Sequence, residues 1–545
     1  MCAKIKFIGI PLSFMLDDAQ KILKTRFGFS QFRKGQEAII SSILSGQDTL
    51  AVMPTGGGKS ICYQVPALYL KGLTLVISPL ISLMRDQVSF LNAKGIASGF
   101  FHANQTAVQK RMIFQNIQYQ LNHQGSYLLY VSPERIQNEY FMDWLSTQQP
   151  KLFAVDEAHC VSQWGHDFRE DYARLNDLRK LHSNVPLLAT TATATPMVLN
   201  DISEQLELRE PHKHIYGFYR PNLFYQVEFC STEQHKYDFI QQALEQNPDD
   251  RVIIYVGTRK QCESLYDHFF SQFNKIAYYH AGLSSDQRDD VQNRYESGQI
   301  RVLIATNAFG MGVDTPNVRK IIHFQMPGNI ESYYQEIGRA GRDGKESTCL
   351  LLYSKKDYGL QTFFIRQSKA NPKIIQNKWN ALDAMINYAE GAECRHSEIL
   401  TYFKDTQRVE SCGHCDSCSP ESIRKVQLPQ KTPKTRLRKN TLASEAKVVK
   451  TKKKKTARKK KSVPVDTRPL DNLELLRMKY LKQWRYDYAK QKDIPAFMVF
   501  SNKTLHDLAM KNPQSKTDLK YVHGLGSYKI RQFGKELVEA LENSP

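Results

Sequence analysis

No stretch of this chain approaches the roughly 18 consecutive apolar residues that a membrane-spanning helix needs, and no such span is expected. A secretory leader is poorly supported too. Lys4-Ile5-Lys6 followed by Phe7 to Met15 has its outline, but Pro11 interrupts it and no small-residue cleavage site follows. A cytoplasmic location is therefore expected, with translation from Met15 rather than Met1 as an alternative. Paired cysteines are missing from most of the chain. Of ten, Cys2, Cys62, Cys160, Cys230, Cys262 and Cys349 stand singly, as reduced intracellular thiols do. Acidic residues are in deficit, 55 against 75 Lys and Arg, and the net charge of +20 points to a polyanionic partner, most often nucleic acid. The deficit is local: residues 421–465 carry 17 Lys and Arg against only Glu421 and Glu445, a net of +15 that leaves +5 for the other 500 residues. At 545 residues and 41% hydrophobic, the chain has room for three or four domains with sizeable cores.

The stretch Met53-Pro54-Thr55-Gly56-Gly57-Gly58-Lys59-Ser60 follows a strand-like run, Leu50 to Val52, and precedes a helix expected over 61–70. A triphosphate-binding loop needs that order. Glycines let backbone N–H groups turn toward phosphate oxygens, and the helix N-terminus adds favourable potential. In this pattern Lys59 reaches the β- and γ-phosphates and the Ser60 hydroxyl holds Mg²⁺, with Thr55, Gly56, Gly57 and Gly58 forming the cradle. Met53 departs from the strict pattern, which has glycine there. Upstream, Arg33 and Gln36 are candidates for the same nucleotide, because a Gln amide matches the donor and acceptor edge of adenine.

Leu73 to Ile77 reads as a buried strand, and Leu152 to Val155 as another that delivers Asp156-Glu157-Ala158-His159 at its carboxyl end. Ligands sit beyond the carboxyl ends of strands in such sheets. Asp156 is placed to hold Mg²⁺, and Glu157 to orient and deprotonate an attacking water. The β/α alternation restarts after about residue 208 without a second phosphate loop, with strands expected at 252–256 and 302–305.

With these residues in view, the chain resembles the RecQ family of superfamily 2 DNA helicases. The resemblance rests on the acid-pair box, on Ser162-Gln163-Trp164-Gly165-His166-Asp167-Phe168-Arg169, and on Thr191-Ala192-Thr193-Ala194. It extends through Tyr278 to Leu283, Thr306 to Asp314, and Gln335-Glu336-Ile337-Gly338-Arg339-Ala340-Gly341-Arg342. It implies that the loop at 162–169 senses single-stranded DNA, through Gln163, Trp164, His166, Phe168 and Arg169; the rings suit base stacking, with burial in a core as the alternative. It implies that Arg342, with Arg339 beside it, neutralises the transferring phosphoryl group from the second lobe.

Cys394 is followed by Cys412, Cys415 and Cys418, a spacing suited to tetrahedral zinc, with an iron–sulfur cluster as the chemical rival. It also resembles the RecQ zinc region. RecQ proteins usually continue into a winged helix; here residues 421–468 hold Lys452 to Lys455 and Arg458 to Lys461 and almost nothing apolar. Such a segment is expected to be extended by self-repulsion, either gripping phosphate backbones or serving as a solvated tether; a nuclear address is a third reading. Leu473, Leu476, Tyr480 and Trp484 recur at helical spacing, and Val522-His523-Gly524-Leu525-Gly526 opens a last basic helix resembling the HRDC domain, which binds DNA or, alternatively, protein.

The expected fold class is α/β: an extension at 1–16, RecA-like lobes at 17–207 and 208–355, a zinc module at 356–420, a basic linker at 421–468 and an all-α HRDC-like bundle at 469–545. The resemblance implies an ATP-dependent 3′-to-5′ helicase acting in repair, recombination, replication-fork maintenance and the SOS response. It would be a nucleoid-associated bacterial monomer working on single-stranded and partly duplex DNA, with a single-strand-binding protein and a type IA topoisomerase as partners. The alternatives are a translocase or annealing factor that opens duplexes poorly, and a scaffold with a dead motor. A structural zinc site contributes folding free energy, so Cys412→Ser is expected to leave the protein insoluble; soluble variant with normal ATPase would refute this.

Overall fold

The computed structural model describes residues 12–102, 105–162, 168–310, 315–368, 370–405, 407–429, 468, 470–492, 496–525 and 527–545. The first lobe is built on strands β1 (Thr49–Val52), β2 (Gly72–Ile77), β3 (Ser98–Phe101), β4 (Ser126–Val131), β5 (Pro150–Val155), β6 (Leu187–Thr191) and β7 (His212–Ile215). All pair in parallel, in the order β3-β4-β2-β5-β6-β1-β7. The second lobe holds β8 (Leu223–Phe229), β9 (Arg251–Tyr255), β10 (Ile276–Tyr279), β11 (Val302–Ala305), β12 (Val318–His323) and β13 (Ser347–Tyr353). These also pair in parallel, as β10-β11-β9-β12-β13-β8.

Both sheets have helices on two faces, so their strands read as near-continuous apolar runs. Alternation distributes each run between two cores. Leu75 and Ile77 face one core, and Val76 faces the other with Leu128, Tyr130 and Ala154. In the second lobe Ile253 and Leu303 join the core of Leu75, whereas Val252, Ile254 and Ile304 form a third. One continuous core therefore holds residues of both sheets, with Phe218 and Leu223 among them.

The first sheet continues past residue 207. β7 pairs with β1 at its edge, and a short strap, residues 216–222, leads directly to β8 at the edge of the second sheet. The helices Lys355–Gln367, Pro372–Glu390 and Arg395–Tyr402 follow, the last with Cys394 at its N-cap, and Cys412, Cys415 and Cys418 come after them. The C-terminal helices Asn472–Lys492, Ala496–Val499, Asn502–Lys511 and Ser527–Glu542 enclose a core of Leu481, Phe500, Leu508, Leu519 and Leu537. This bundle rests on the long helix before the cysteines through Lys503–Glu390 (3.1 Å) and on Glu393 through Arg485 (3.2 Å).

The first bundle helix buries a different face from the one its leucines suggest. Leu473, Leu476 and Tyr480 are exposed, while Arg477, Leu481, Arg485 and Tyr488 are buried. The arginine stems pack inward and their heads meet carbonyls: Arg477 donates to Ala509 (2.8 Å) and Arg485 to Phe500 (2.9 Å). The basic linker beyond residue 429, as far as 467, lies outside the described residues.

Asp48 ties the base of the first sheet together. Its buried carboxylate accepts from Arg179 Nη2 (2.7 Å), from the Arg209 backbone (2.7 Å) and from the Leu187 backbone (3.0 Å). Burial raises its pKa, but hydrogen bonds from Arg209 and the Arg179 charge outweigh that, and the net shift is downward. A lowered folded-state pKa stabilises fully above the unfolded value, and that stabilisation is lost as pH falls through the folded one. Asp48→Ala is expected to cost roughly 3–5 kcal/mol, since Arg179 is left buried without its partner charge. The wild type should lose this advantage below about pH 4, so the two thermal midpoints should converge in acid. Equal midpoints at pH 7 would disprove the assignment.

Candidate functional site

The loop from Pro54 to Ser60 leaves the carboxyl end of β1 and runs into the helix Ile61–Leu70. Its carbonyls are held from outside. Arg33 Nη1 donates to Gly56 O (2.6 Å), Gln36 Nε2 to Gly57 O (3.3 Å) and Gly58 O (3.1 Å), and Arg220 Nη1 to Thr55 O (3.4 Å). Gln36 Oε1 meanwhile accepts from the Arg33 backbone (2.8 Å). The Gln36 amide is thus engaged with the loop, and reading an adenine edge requires exchanging those bonds. Gly58 has φ +82°, a conformation that strains any side chain, and a Cβ there would stand 2.5 Å from Gln36 Nε2 and displace that amide from the loop.

Across the site, Asp156 and Glu157 follow β5. Asp156 is buried and accepts from Thr190 Oγ1 (2.9 Å) and from the Glu157 backbone (3.0 Å). Burial, then the neighbouring Glu157 charge, pushes its pKa up to about 6. A bound cation would reverse that shift. Glu157 occupies the left-handed region at φ +49°, a strained conformation for a non-glycine residue of the kind that collects at functional sites. That turn aims its carboxylate at two partners: Lys59 Nζ lies 3.9 Å away, and His159 Nδ1 lies 3.3 Å away. His159 Nδ1 also sits 2.9 Å from Thr191 Oγ1, and Thr191 Oγ1 contacts Thr193. A polar chain therefore runs from the acid pair through His159 to the Thr-Ala-Thr segment, whose short hydroxyls suit a relay.

The second lobe meets the same loop. Gly56 has φ +78°, and a Cβ on it would stand 3.1 Å from Arg342 Cγ; one on Gly338 would stand 3.3 Å from Thr55 Cβ. The structure thus brings Arg342 to the phosphate loop. Arg339 is instead 5% exposed and turned into its own lobe, where its guanidinium donates to Gly310 O. Arg220 is the residue that motif reading missed. Besides Thr55 it donates to Ala340 O and Gly341 O (3.0 Å each). It recognises backbone carbonyls far away in sequence, and such recognition leaves no spacing pattern to find.

Of the loop at 162–169, Gln163, Trp164 and His166 lie outside the described residues. Phe168 is half-buried, and Arg169 Nη1 donates to Pro79 O (3.2 Å) at the end of β2. Met311 to Asp314 also lie outside the described residues.

The thiols of Cys394, Cys412, Cys415 and Cys418 all lie within 4.8 Å of one another. Tetrahedral zinc with bonds of about 2.3 Å needs its sulfurs about 3.8 Å apart, so the donor set fits that ion. The His414 backbone N–H points at Cys412 Sγ (3.3 Å) and the Ser411 hydroxyl at Cys418 Sγ (3.1 Å), as suits thiolates. His414 lies beside them, but its ring is engaged elsewhere: Nδ1 is 3.1 Å from Leu223 O, and Nε2 is 3.0 Å from the Tyr219 hydroxyl.

Family models match in four blocks: "DEAD/DEAH box helicase" over residues 33–202, "Helicase conserved C-terminal domain" over 235–344, "RecQ zinc-binding" over 355–419 and "HRDC domain" over 474–541. The chain is 41% identical to the ATP-dependent DNA helicase RecQ of Bacillus subtilis over 410 residues, 74% of this chain and 67% of that protein. It is 42% identical to its Haemophilus influenzae counterpart over 405 residues, 73% and 63% of the two chains. The probable ATP-dependent DNA helicase RecS of Bacillus subtilis is 43% identical over 366 residues, 67% and 72%. Among solved structures, the helicase MrfA bound to DNA and AMPPNP shares the fold, with TM-score 0.53 and 18% identity over 70% of this chain and 57% of that one. Lobe, lobe, zinc module and bundle thus match in the order in which they were built above, and at this level of identity the chain belongs to the RecQ family of ATP-dependent DNA helicases.

Proposed function

We propose that this chain hydrolyses ATP between its two lobes and uses the resulting closure to move 3′-to-5′ along single-stranded DNA, separating duplexes during repair and recombination. The observation that carries this reading is the convergence of Lys59, Glu157 and Arg342 on one phosphate loop from two separate sheets. A loop alone cannot neutralise charge spread over a transferring phosphoryl group; a cation from a second lobe can, and its arrival reports closure.

In this reading Thr55, Gly56, Gly57, Gly58 and Lys59 hold the phosphates, and Arg33 and Gln36 hold the loop, Gln36 exchanging its bonds to Gly57 O and Gly58 O when it meets the base. Glu157 orients and deprotonates the attacking water. Ser60 and Asp156 are the groups that would hold Mg²⁺, which supplies charge neutralisation on the phosphates. Arg342 acts on the γ-phosphoryl, while Arg339 supports it from inside the second lobe. The four-cysteine site holds zinc as a structural ion. Gln163, Trp164, His166, Phe168 and Arg169 make the contact with single-stranded DNA. The path from Glu157 through His159 to Thr191 supports a relay between that contact and hydrolysis. The protein works as a nucleoid-associated monomer, alongside a single-strand-binding protein and a type IA topoisomerase.

Lys59→Ala is expected to abolish DNA-stimulated ATPase while leaving affinity for single-stranded DNA largely intact. Glu157→Gln should retain ATP binding and lose turnover by roughly 10²- to 10⁴-fold, the usual contribution of a positioned base. Unwinding of 3′-tailed but not 5′-tailed duplexes by the wild type would complete the picture. Full turnover in Glu157→Gln, or stimulation by RNA as strong as by DNA, would overturn it.

A further inference from the structure

Arg220 lies outside the residues to which the reading above gives a role. It sits in the strap between β7 and β8, and its guanidinium bridges the two lobes. Nη1 faces Thr55 O of the phosphate loop at 3.4 Å; Nη2 donates to Ala340 O and Gly341 O at 3.0 Å. Those two carbonyls belong to the turn between Arg339 and Arg342. Gly341 adopts φ +54° there, and its carbonyl also accepts from Asn222 Nδ2 (2.9 Å).

The strap itself is held firmly. Tyr216 N–H donates to Val52 O at the end of β1 (3.0 Å), and Phe218 N–H to Asp405 Oδ2 (2.9 Å). The Phe218 ring stacks on Phe403 with centroids 4.3 Å apart and planes 8° off parallel, and Tyr334 donates to Phe218 O (3.1 Å). Tyr219 meets His414 beside the cysteine cluster. A guanidinium on so fixed a backbone is a rigid two-ended gauge. One end measures the phosphate loop and the other measures the turn that carries Arg342.

We propose that Arg220 is a positioning residue for ATP hydrolysis: it sets the separation between the phosphate loop and Arg342 and acts on the reaction through Arg342. The proposal rests on the role given to Arg342 above. Only a planar fork spans both sets of carbonyls at once; a lysine ammonium satisfies one end. Misplacement of a catalytic group by about 1 Å costs on the order of 100-fold. Removal of Arg220 should therefore be felt in turnover and not in binding.

The test measures single-turnover ATP hydrolysis with saturating single-stranded DNA in the full-length protein, for Arg220→Ala, Arg220→Lys, Arg342→Ala and the double Ala variant. Equilibrium binding of a fluorescent ATP analogue and thermal unfolding are followed in parallel. Arg220→Ala should lower the hydrolysis rate about 10- to 100-fold, with nucleotide affinity and thermal midpoint close to wild type. Arg220→Lys should fall between the two. The double variant should be no slower than Arg342→Ala alone, as for groups that act as one unit. Losses that multiply in the double variant would overturn the proposal while leaving the role of Arg342 intact. So would weakened nucleotide binding at an unchanged hydrolysis rate. Near-normal hydrolysis in Arg342→Ala would overturn the reading of Arg342, and this proposal with it.

Discussion

A phosphate-binding loop works only if its amides face inward, and that orientation turns its carbonyls outward, where each needs a donor. Here four consecutive carbonyls, Thr55 to Gly58, receive side-chain hydrogen bonds from Arg220, Arg33 and Gln36. The donors come from opposite sides. Two precede the first sheet, and the third stands in the strap that leaves it. The loop is thus shaped by its neighbours as well as by its glycines, and through Arg220 both lobes share it as a reference point.

The electrostatics follow from the same crowding. Lys59, Arg33, Arg220 and Arg342 gather around the loop, while the buried Asp156 and the strained Glu157 face them. Cations and acids at this spacing, with Asp156 buried among them, raise the local field above its value in bulk solvent. A polyphosphate with its counter-ion balances that field, and neither an uncharged ligand nor a monoanion does so as well.

The sequence was most legible where burial dictates pattern. The runs at 73–77, 152–155 and 302–305 are strands because both faces of a parallel sheet are covered, and the helix after the phosphate loop spans 61–70 as its turn chemistry required. β7 escaped notice because His212-Lys213-His214-Ile215 is an edge strand with little apolar content; its pairing with β1 supplies what its composition does not. The bundle's first helix was legible as a helix and misleading in its face, because arginine stems took the places expected of leucines. Arg220 was silent for a different reason. Its partners are main-chain carbonyls about 120 and 165 residues away, and any residue type can supply a carbonyl.

The edge of the second sheet carries a last consequence. Among the described residues β8 has β13 on one side and no strand on the other, yet its open rim is covered. Tyr225 forms a parallel bridge with Cys415, Asp416 N–H donates to Tyr225 O (2.9 Å), and the Asp416 carboxylate accepts from Val227 N–H (2.8 Å). The knuckle of the cysteine cluster therefore imitates a neighbouring strand. By covering that rim, the cysteine knuckle denies a foreign chain the exposed ladder on which sheet-to-sheet polymerisation would begin.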